Sequence, residues 1–301
     1  MIELQNVGKS FDGIDAVRNL SLTIKEKSVF GMIGTNGAGK STVLRMMSGI
    51  LKPDEGQVLL DGGEVYENME AKRSFFFISD EPYFFANANA EDMARYYGNV
   101  YEAFDREKFR RLTEQFGLGK KRKISTFSKG MKKQLALLLA VCARTKYIYC
   151  DETFDGLDPV MRQGIKALFA SELEERGLTP VIASHNLREL EDVCDAVGLL
   201  HKGGVLLSKA VEELKCNLQK IQCVFTNDDA AQITLGKLDV MKKEERGRLV
   251  TLTVRGGREK AESVFAEADT VFYEILPLSL EEIFISETEV IGYDVKKLIF
   301  G

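Results

Sequence analysis

Short apolar runs, separated by turns rich in glycine and acid, set the first expectations for this chain. Residues 2–7 and 20–25 alternate apolar and polar positions, the period of strands with one buried face. Val29-Phe30-Gly31-Met32-Ile33 reads as a buried strand, and so does Phe75-Phe76-Phe77. Tyr147-Ile148-Tyr149-Cys150 and Val181-Ile182-Ala183-Ser184 are continuous apolar runs, suited to parallel strands covered on both faces. Gln57 to Leu60 forms a strand between the turns Pro53-Asp54-Glu55-Gly56 and Asp61-Gly62-Gly63. From Ala90 to Ala143 apolar residues recur at helical spacing, so this stretch is expected to be mostly helix. Ala196–Leu200 and Val205–Leu207 read as a closing pair around Lys202-Gly203-Gly204.

The pattern changes near Ser208. Beyond it the chain reads helix (Val211–Gln219), strand (Ile221–Phe225), helix (Asp229–Gly236) and strand (Leu238–Lys242). Then follow strand (Arg248–Val254), helix (Glu259–Ala268), strand (Thr270–Leu276) and helix (Leu280–Thr288). The middle of this order is β-α-β-β-α-β, which predicts a small ferredoxin-like α+β unit. Two domains are expected, 1–208 and an accessory 209–301; such an accessory fold by itself names no job.

Bulk numbers narrow the classes. A length of 301 residues suits one large domain and a smaller one, and 45% hydrophobic with 29% charged residues is ordinary globular composition. A net charge of −5 gives no global attraction to nucleic acid. The longest apolar stretch, Leu135 to Ala143, is too short to cross a bilayer, and Met1-Ile2-Glu3-Leu4 lacks a signal-peptide start. Cys142, Cys150, Cys194, Cys216 and Cys223 show no C-x-x-C spacing, which suits reduced buried thiols better than a zinc site.

The chemistry concentrates after the apolar runs. Gly34-Thr35-Asn36-Gly37-Ala38-Gly39-Lys40-Ser41 fits the phosphate-loop pattern G-x-x-x-x-G-K-[ST], with Thr42 continuing into a helix. Its glycines let successive N–H groups turn inward around a polyphosphate, Lys40 reaches the terminal phosphates, and Ser41 faces Mg²⁺. The helix from about Ser41 to Met47 points its positive end at the same anion. Asp151-Glu152 closes an apolar strand, where a carboxylate can hold Mg²⁺ and its neighbour can polarise water. Ser184-His185 puts an imidazole at another strand's C-terminal end, where open α/β sheets bind ligands. Ser128, in Phe127-Ser128-Lys129-Gly130-Met131, stands at a helix N-cap.

Taken in this order, the motifs resemble those of one family, the ATP-binding subunits of ABC transporters, over roughly residues 2–208. The resemblance implies an α/β P-loop NTPase domain with a helical subdomain at about 85–143. It matches the family's LSGGQ signature to Phe127–Met131 and its metal-binding strand to Tyr147–Asp151. It puts the catalytic glutamate on Glu152, the D-loop aspartate on Asp158, the switch histidine on His185 and the adenine-stacking aromatic on Phe11. The spelling Ser128-Lys129-Gly130-Met131-Lys132 and the tail Leu278–Phe284 resemble the bacitracin- and daunorubicin-export branch, whose membrane subunit is a separate chain.

What the resemblance implies is an ATPase that closes head-to-tail on ATP and Mg²⁺. The Gly34–Thr42 loop of one copy would face Ser128 and Gly130 of the other. Lys40, Glu152 and His185 would carry catalysis, with Ser41, Asp80 and Asp151 at the metal. A transmembrane permease is the implied partner, no nucleic acid is, and the implied place is the cytoplasmic face of the membrane.

Two positions depart from the family pattern. Its Q-loop glutamine aligns with Asp80, which is shorter, usually negative and offers no amide donor. Lys129 stands where the signature carries its first glycine, while Gly130 is retained. Several readings stay open. Phe11 fits an adenine platform or a core aromatic, and Tyr83-Phe84-Phe85 a membrane-subunit interface or core packing. Lys120-Lys121-Arg122-Lys123 fits a solvated helix end or a lipid-facing patch. His201 has no motif around it and is expected at the surface. Two other functions are weighed: a soluble ATPase of translation or DNA repair, and a weakly hydrolysing regulatory subunit, which rests on Asp80.

Overall fold

The computed structural model describes residues 1–119 and 121–290, so Lys120 of the basic run lies outside the described residues. The chain divides into two compact units, one of Met1–Ser208 and one beginning at Lys209.

The first unit contains two sheets. A six-stranded sheet runs in the order Gly204–Ala210, Ala196–His201, Phe30–Ile33, Thr179–Ser184, Tyr147–Asp151, Phe75–Ile78. From Ala196–His201 across to Phe75–Ile78 the neighbours pair parallel. Every residue of Phe30–Ile33, Tyr147–Asp151 and Thr179–Ser184 is buried, which is why these strands read as unbroken apolar runs. A four-stranded sheet, Ile14–Ile24, Ile2–Phe11, Glu55–Leu60 and Gly63–Glu64, is antiparallel, and its long strands alternate in burial as their sequence does. The helix Lys40–Met47 lies in the core shared by the two sheets. Its Val43, Leu44, Met46 and Met47 pack with Ile2 and Leu4 of one sheet and Met32 and Tyr149 of the other.

The expected helical stretch is three helices, each opened by its own side-chain cap. Asn89 and Asp92 form a capping box at Ala90–Val100, Asp105 caps Arg106–Gln115, and Ser128 caps Lys129–Cys142. In the third helix Lys133 through Cys142 are all buried, the mark of a helix surrounded on every side. No described helix is long and apolar enough to cross a membrane.

The second unit contains the strands Leu218–Phe225, Asp239–Arg246, Leu249–Arg255 and Thr270–Leu276, with helices Asp228–Leu235 and Arg258–Ala266 between them. The sheet is antiparallel and ordered second-third-first-fourth, the ferredoxin-like arrangement that the β-α-β-β-α-β order predicts. One boundary needs correction. The helix expected to run to Gln219 stops at Asn217, because Leu218 through Cys223 pair with Val250–Arg255 and pull the chain into a strand. A short local periodicity loses there to a long-range ladder.

Of the five cysteines only Cys216 is exposed, and burial pushes the Cys142 thiol up to about 12 and Cys223 up to about 11. These are inert buried thiols. Tyr149 is buried with its ring stacked on Phe75 at 5.0 Å, and its hydroxyl has no hydrogen-bond partner among the described residues. Leaving such a group unpaired costs about 1–3 kcal/mol. Tyr149→Phe is therefore expected to stabilise the protein by about 1 kcal/mol in urea or thermal unfolding; a destabilised variant would show that the hydroxyl is paired in solution.

Candidate active site

The site is built at the C-terminal ends of three adjacent parallel strands. Phe30–Ile33 runs directly into the Gly34–Gly39 loop and the helix Lys40–Met47. Two glycines are required by geometry. A Cβ on Gly34 would lie 2.6 Å from the Leu200 carbonyl oxygen, and one on Gly39, at φ +99°, would lie 2.6 Å from that of Ala16. No side chain caps the Lys40–Met47 helix and no acid lies in its first turn, so its first N–H groups keep their capacity for an anion.

The Lys40 side chain is 5% exposed and lies inside this loop. Its ammonium donates to the Gly34 carbonyl at 2.7 Å and the Thr35 carbonyl at 3.2 Å, and sits 3.2 Å from Glu152 Oε1. Ser41 Oγ donates to Asp151 Oδ1 at 2.9 Å. Burial holds the Asp151 carboxyl above its ordinary range, with the charge of Glu152 adding to the rise and the Ser41 hydrogen bond opposing it. A hydroxyl and a carboxylate this close supply hard oxygen donors of the kind Mg²⁺ takes.

Glu152 adopts φ +47°, a left-handed conformation rare for a residue with a side chain. Its N–H donates to the Ala183 carbonyl at 3.0 Å. Oε2 then lies 2.8 Å from His185 Nδ1 and 3.3 Å from the His185 N–H. One carboxylate thus joins Lys40 and His185. Strain of this kind gathers at functional sites.

The other expected site residues fall in different places. Asp80 is not joined to the Ser41–Asp151 pair; its Oδ1 accepts from Lys133 Nζ at 3.0 Å, although its charge still acts on Asp151. Ser128 Oγ accepts from the Met131 N–H at 3.2 Å, and no hydrogen bond among the described residues links it to the Gly34–Thr42 loop of its own chain. A Cβ on Gly130 would lie 2.9 Å from the Gly156 carbonyl oxygen, so glycine lets this helix start approach the 156–158 loop. Asp158 caps the helix Pro159–Arg176 through the Met161 N–H at 2.9 Å, with Pro159 at the first helical position. Phe11 is 44% exposed at the end of its strand, with the Lys9 ammonium 5.5 Å from the ring centre, which removes the core reading. His201 is half-buried and not at the surface as expected, because it ends an interior strand; burial lowers its pKa.

Two buried charges were not anticipated from the sequence. Lys133 lies in the apolar helix behind Glu152. Glu189, 3% exposed, accepts from Ser184 Oγ at 3.0 Å and from Asn186 Nδ2 at 3.3 Å on either side of His185. Both stand among other polar residues, in Lys132-Lys133-Gln134 and Arg188-Glu189-Leu190-Glu191, so no local sequence signal marks them as buried.

The sequence profile of the family described as ABC transporter matches residues 17–155. The ABC transporter ATP-binding protein YtrB of Bacillus subtilis is 30% identical over 287 residues, 95% of this chain and 98% of the relative. The bacitracin transport ATP-binding protein BcrA of Bacillus licheniformis is 30% identical over 218 residues, 71% of each chain. Among solved structures, the dimeric post-hydrolysis ATP-binding cassette MJ0796 with ADP and phosphate shares the fold at TM-score 0.62 and 23% identity, over 70% of this chain and 99% of that one.

Gly39→Ala is expected to cost about 1–3 kcal/mol of stability through its strained φ, and to weaken ATP binding more than tenfold. Denaturant titration and nucleotide titration of one preparation check both; unchanged affinity would remove the loop from the nucleotide site.

Proposed function

We propose that this chain, which belongs to the ABC transporter family of ATP-binding proteins and is an ATPase, works as a head-to-tail pair driving a separate transmembrane permease. Each ATP lies between the Gly34–Thr42 loop of one copy and Ser128 and Gly130 of the other, at the cytoplasmic face of the membrane and in the export direction. The observation that carries this reading is the single carboxylate of Glu152 held between Lys40 and His185, beside the Ser41–Asp151 pair.

Mg²⁺ fits the site because Ser41 and Asp151 offer only oxygen donors. When bound it would supply charge that offsets the phosphate oxygens, and Ser41 and Asp151 would hold it, while Asp80 stands apart from that pair on Lys133. Lys40 turns its ammonium from the loop carbonyls to the phosphates, where negative charge builds during transfer. Glu152 accepts a hydrogen bond from the attacking water and draws its proton. His185 Nδ1 fixes the orientation of that carboxylate and keeps its ring at the γ-phosphate. Phe11 stacks on the adenine, and Asp158 sets the loop facing the second copy.

Three observations support the pairing and its partner. Ser128 makes no bond to the phosphate loop of its own chain, so its free lone pairs suit a nucleotide held by a second copy. The solved cassette MJ0796 is dimeric with ADP and phosphate. On the permease side, Tyr83 is 76% exposed and meets Phe85 edge-on at 6.0 Å, and Phe85 meets Tyr96 at 4.9 Å. These rings line a cavity of about 280 Å³, a concave aromatic patch of the kind that receives a partner helix. The transport names of the relatives favour this over a soluble role in translation or repair. The unit from Lys209 is accessory in this reading.

Glu152→Gln is expected to bind ATP, lose at least about 100-fold in turnover and elute as a dimer with ATP; near-parental phosphate release would take Glu152 out of catalysis. Phe85→Asp is expected to lower recovery of the chain with membranes while leaving the ATPase rate of the isolated protein unchanged. Equal recovery would move the permease contact elsewhere.

A further inference from the structure

Behind the catalytic carboxylate sits an ammonium that no motif explains. Lys133 lies on the helix Lys129–Cys142 and is 7% exposed, in a stretch buried on all sides through Cys142. A charge taken that far from water must find acceptors nearby. It has two. Nζ donates to the backbone carbonyl of Glu152 at 2.6 Å and to Asp80 Oδ1 at 3.0 Å. The Glu152 peptide is thereby held from both ends, its N–H on Ala183 and its carbonyl on Lys133. Asp80, 59% exposed, forms one wall of a cavity of about 390 Å³ that Lys129, Lys132, Asp155 and Gly156 also line.

We propose that Lys133 is a positioning residue for hydrolysis: its ammonium locks the left-handed peptide that aims the Glu152 carboxylate, and Asp80 sets where that ammonium stands. The geometry makes this more than charge satisfaction. A residue at φ +47° relaxes unless its neighbours over-determine it. The Ala183 bond fixes only the amide before Glu152; without the Lys133 bond the following peptide can rotate and carry the carboxylate off His185 and Lys40. Lys133 also rides on the helix that Ser128 opens, so the peptide's setting is tied to the segment that meets the second copy. The proposal rests on the reading of Glu152 as the catalytic carboxylate.

The test is a set of variants assayed for kcat, KM for ATP, ATP affinity and melting temperature. Lys133→Met keeps the unbranched stem and removes the charge. It is expected to lower kcat about 10- to 100-fold, the usual range for a supporting hydrogen bond, with KM and affinity within about threefold. Its melting temperature is expected to change little, because removing a buried charge offsets the loss of the carbonyl's partner. Asp80→Asn is expected to lower kcat less, and to add nothing in the Lys133→Met background, as two groups acting as one unit do. Lys133→Gln, which can still donate to the carbonyl, should recover part of the loss. A Lys133→Met kcat within about twofold of the parent overturns the proposal, and so does a parallel loss of kcat and ATP affinity. Additive effects overturn the part given to Asp80. Should Lys133→Met fail to fold, the exposed Asp80→Asn decides: unchanged kcat overturns the proposal. Glu152→Gln is assayed alongside. If it is inactive while Lys133→Met is active, only Lys133 loses its role; if Glu152→Gln is fully active, the underlying reading falls first.

Discussion

The register of three parallel strands governs everything chemical in this molecule. Ile33 pairs with Ser184, and Asp151 pairs with Ala183, so Phe30–Ile33, Thr179–Ser184 and Tyr147–Asp151 end within a residue of one another. The next residue of each strand is Gly34, His185 or Glu152. In a parallel sheet a slip of one residue would send alternate side chains to the other face, so the register that buries these strands also fixes the site. The apolar runs and the site chemistry therefore share one cause. Covering the sheet on both faces locks the pairing, and the pairing delivers a phosphate loop, a carboxylate and an imidazole to one edge.

At that edge, buried charge takes over from hydrophobic packing. Lys40, Asp151 and Lys133 are each nine-tenths or more buried as residues, and the Glu152 side chain is 15% exposed. None would tolerate this alone. Each is matched: Lys40 by loop carbonyls and Glu152, Asp151 by Ser41, Lys133 by Asp80 and a carbonyl. The low dielectric that makes an unmatched charge costly also strengthens each match. Such an arrangement needs little rearrangement when phosphate charge arrives, which is the form of stabilisation that lowers a barrier most.

Local signals carried most of this into the sequence. Strand runs, glycine spacing, the Ser128 cap and the β-α-β-β-α-β order are properties of neighbours in the chain, and the structure reproduces them. What failed was set by distant partners. The helix after Val211 ended early because Leu218 found a strand at Arg255. The partner of Asp80, an ammonium 53 residues away, was not legible either. Phe11 and Tyr83-Phe84-Phe85 could be core or surface by sequence alone, since an aromatic residue carries the same local signal in both; only the fold exposes Phe11 and Tyr83. Lys133 was invisible for the same reason. Nothing adjacent to it says that a carbonyl waits opposite.

The proposed division of the nucleotide site between two copies has a structural logic in the capped helices. The half that binds phosphate is made by the buried sheet and cannot move without unpacking the core. The half that would meet the second copy, Ser128 to Gly130, begins a helix that carries its own cap and touches the 156–158 loop through a glycine backbone. Its first turn is exposed at Ser128 and Lys129 and can adjust there, while the helix from Lys133 onward stays packed. If that turn shifts, the groups first affected are those on its buried side, and the first of these is Lys133 with its hold on the Glu152 carbonyl. Closure of the pair and alignment of the catalytic carboxylate would then be one event. Hydrolysis would be confined to the state in which both nucleotide pockets are sealed, as a motor that must not hydrolyse ATP idly requires.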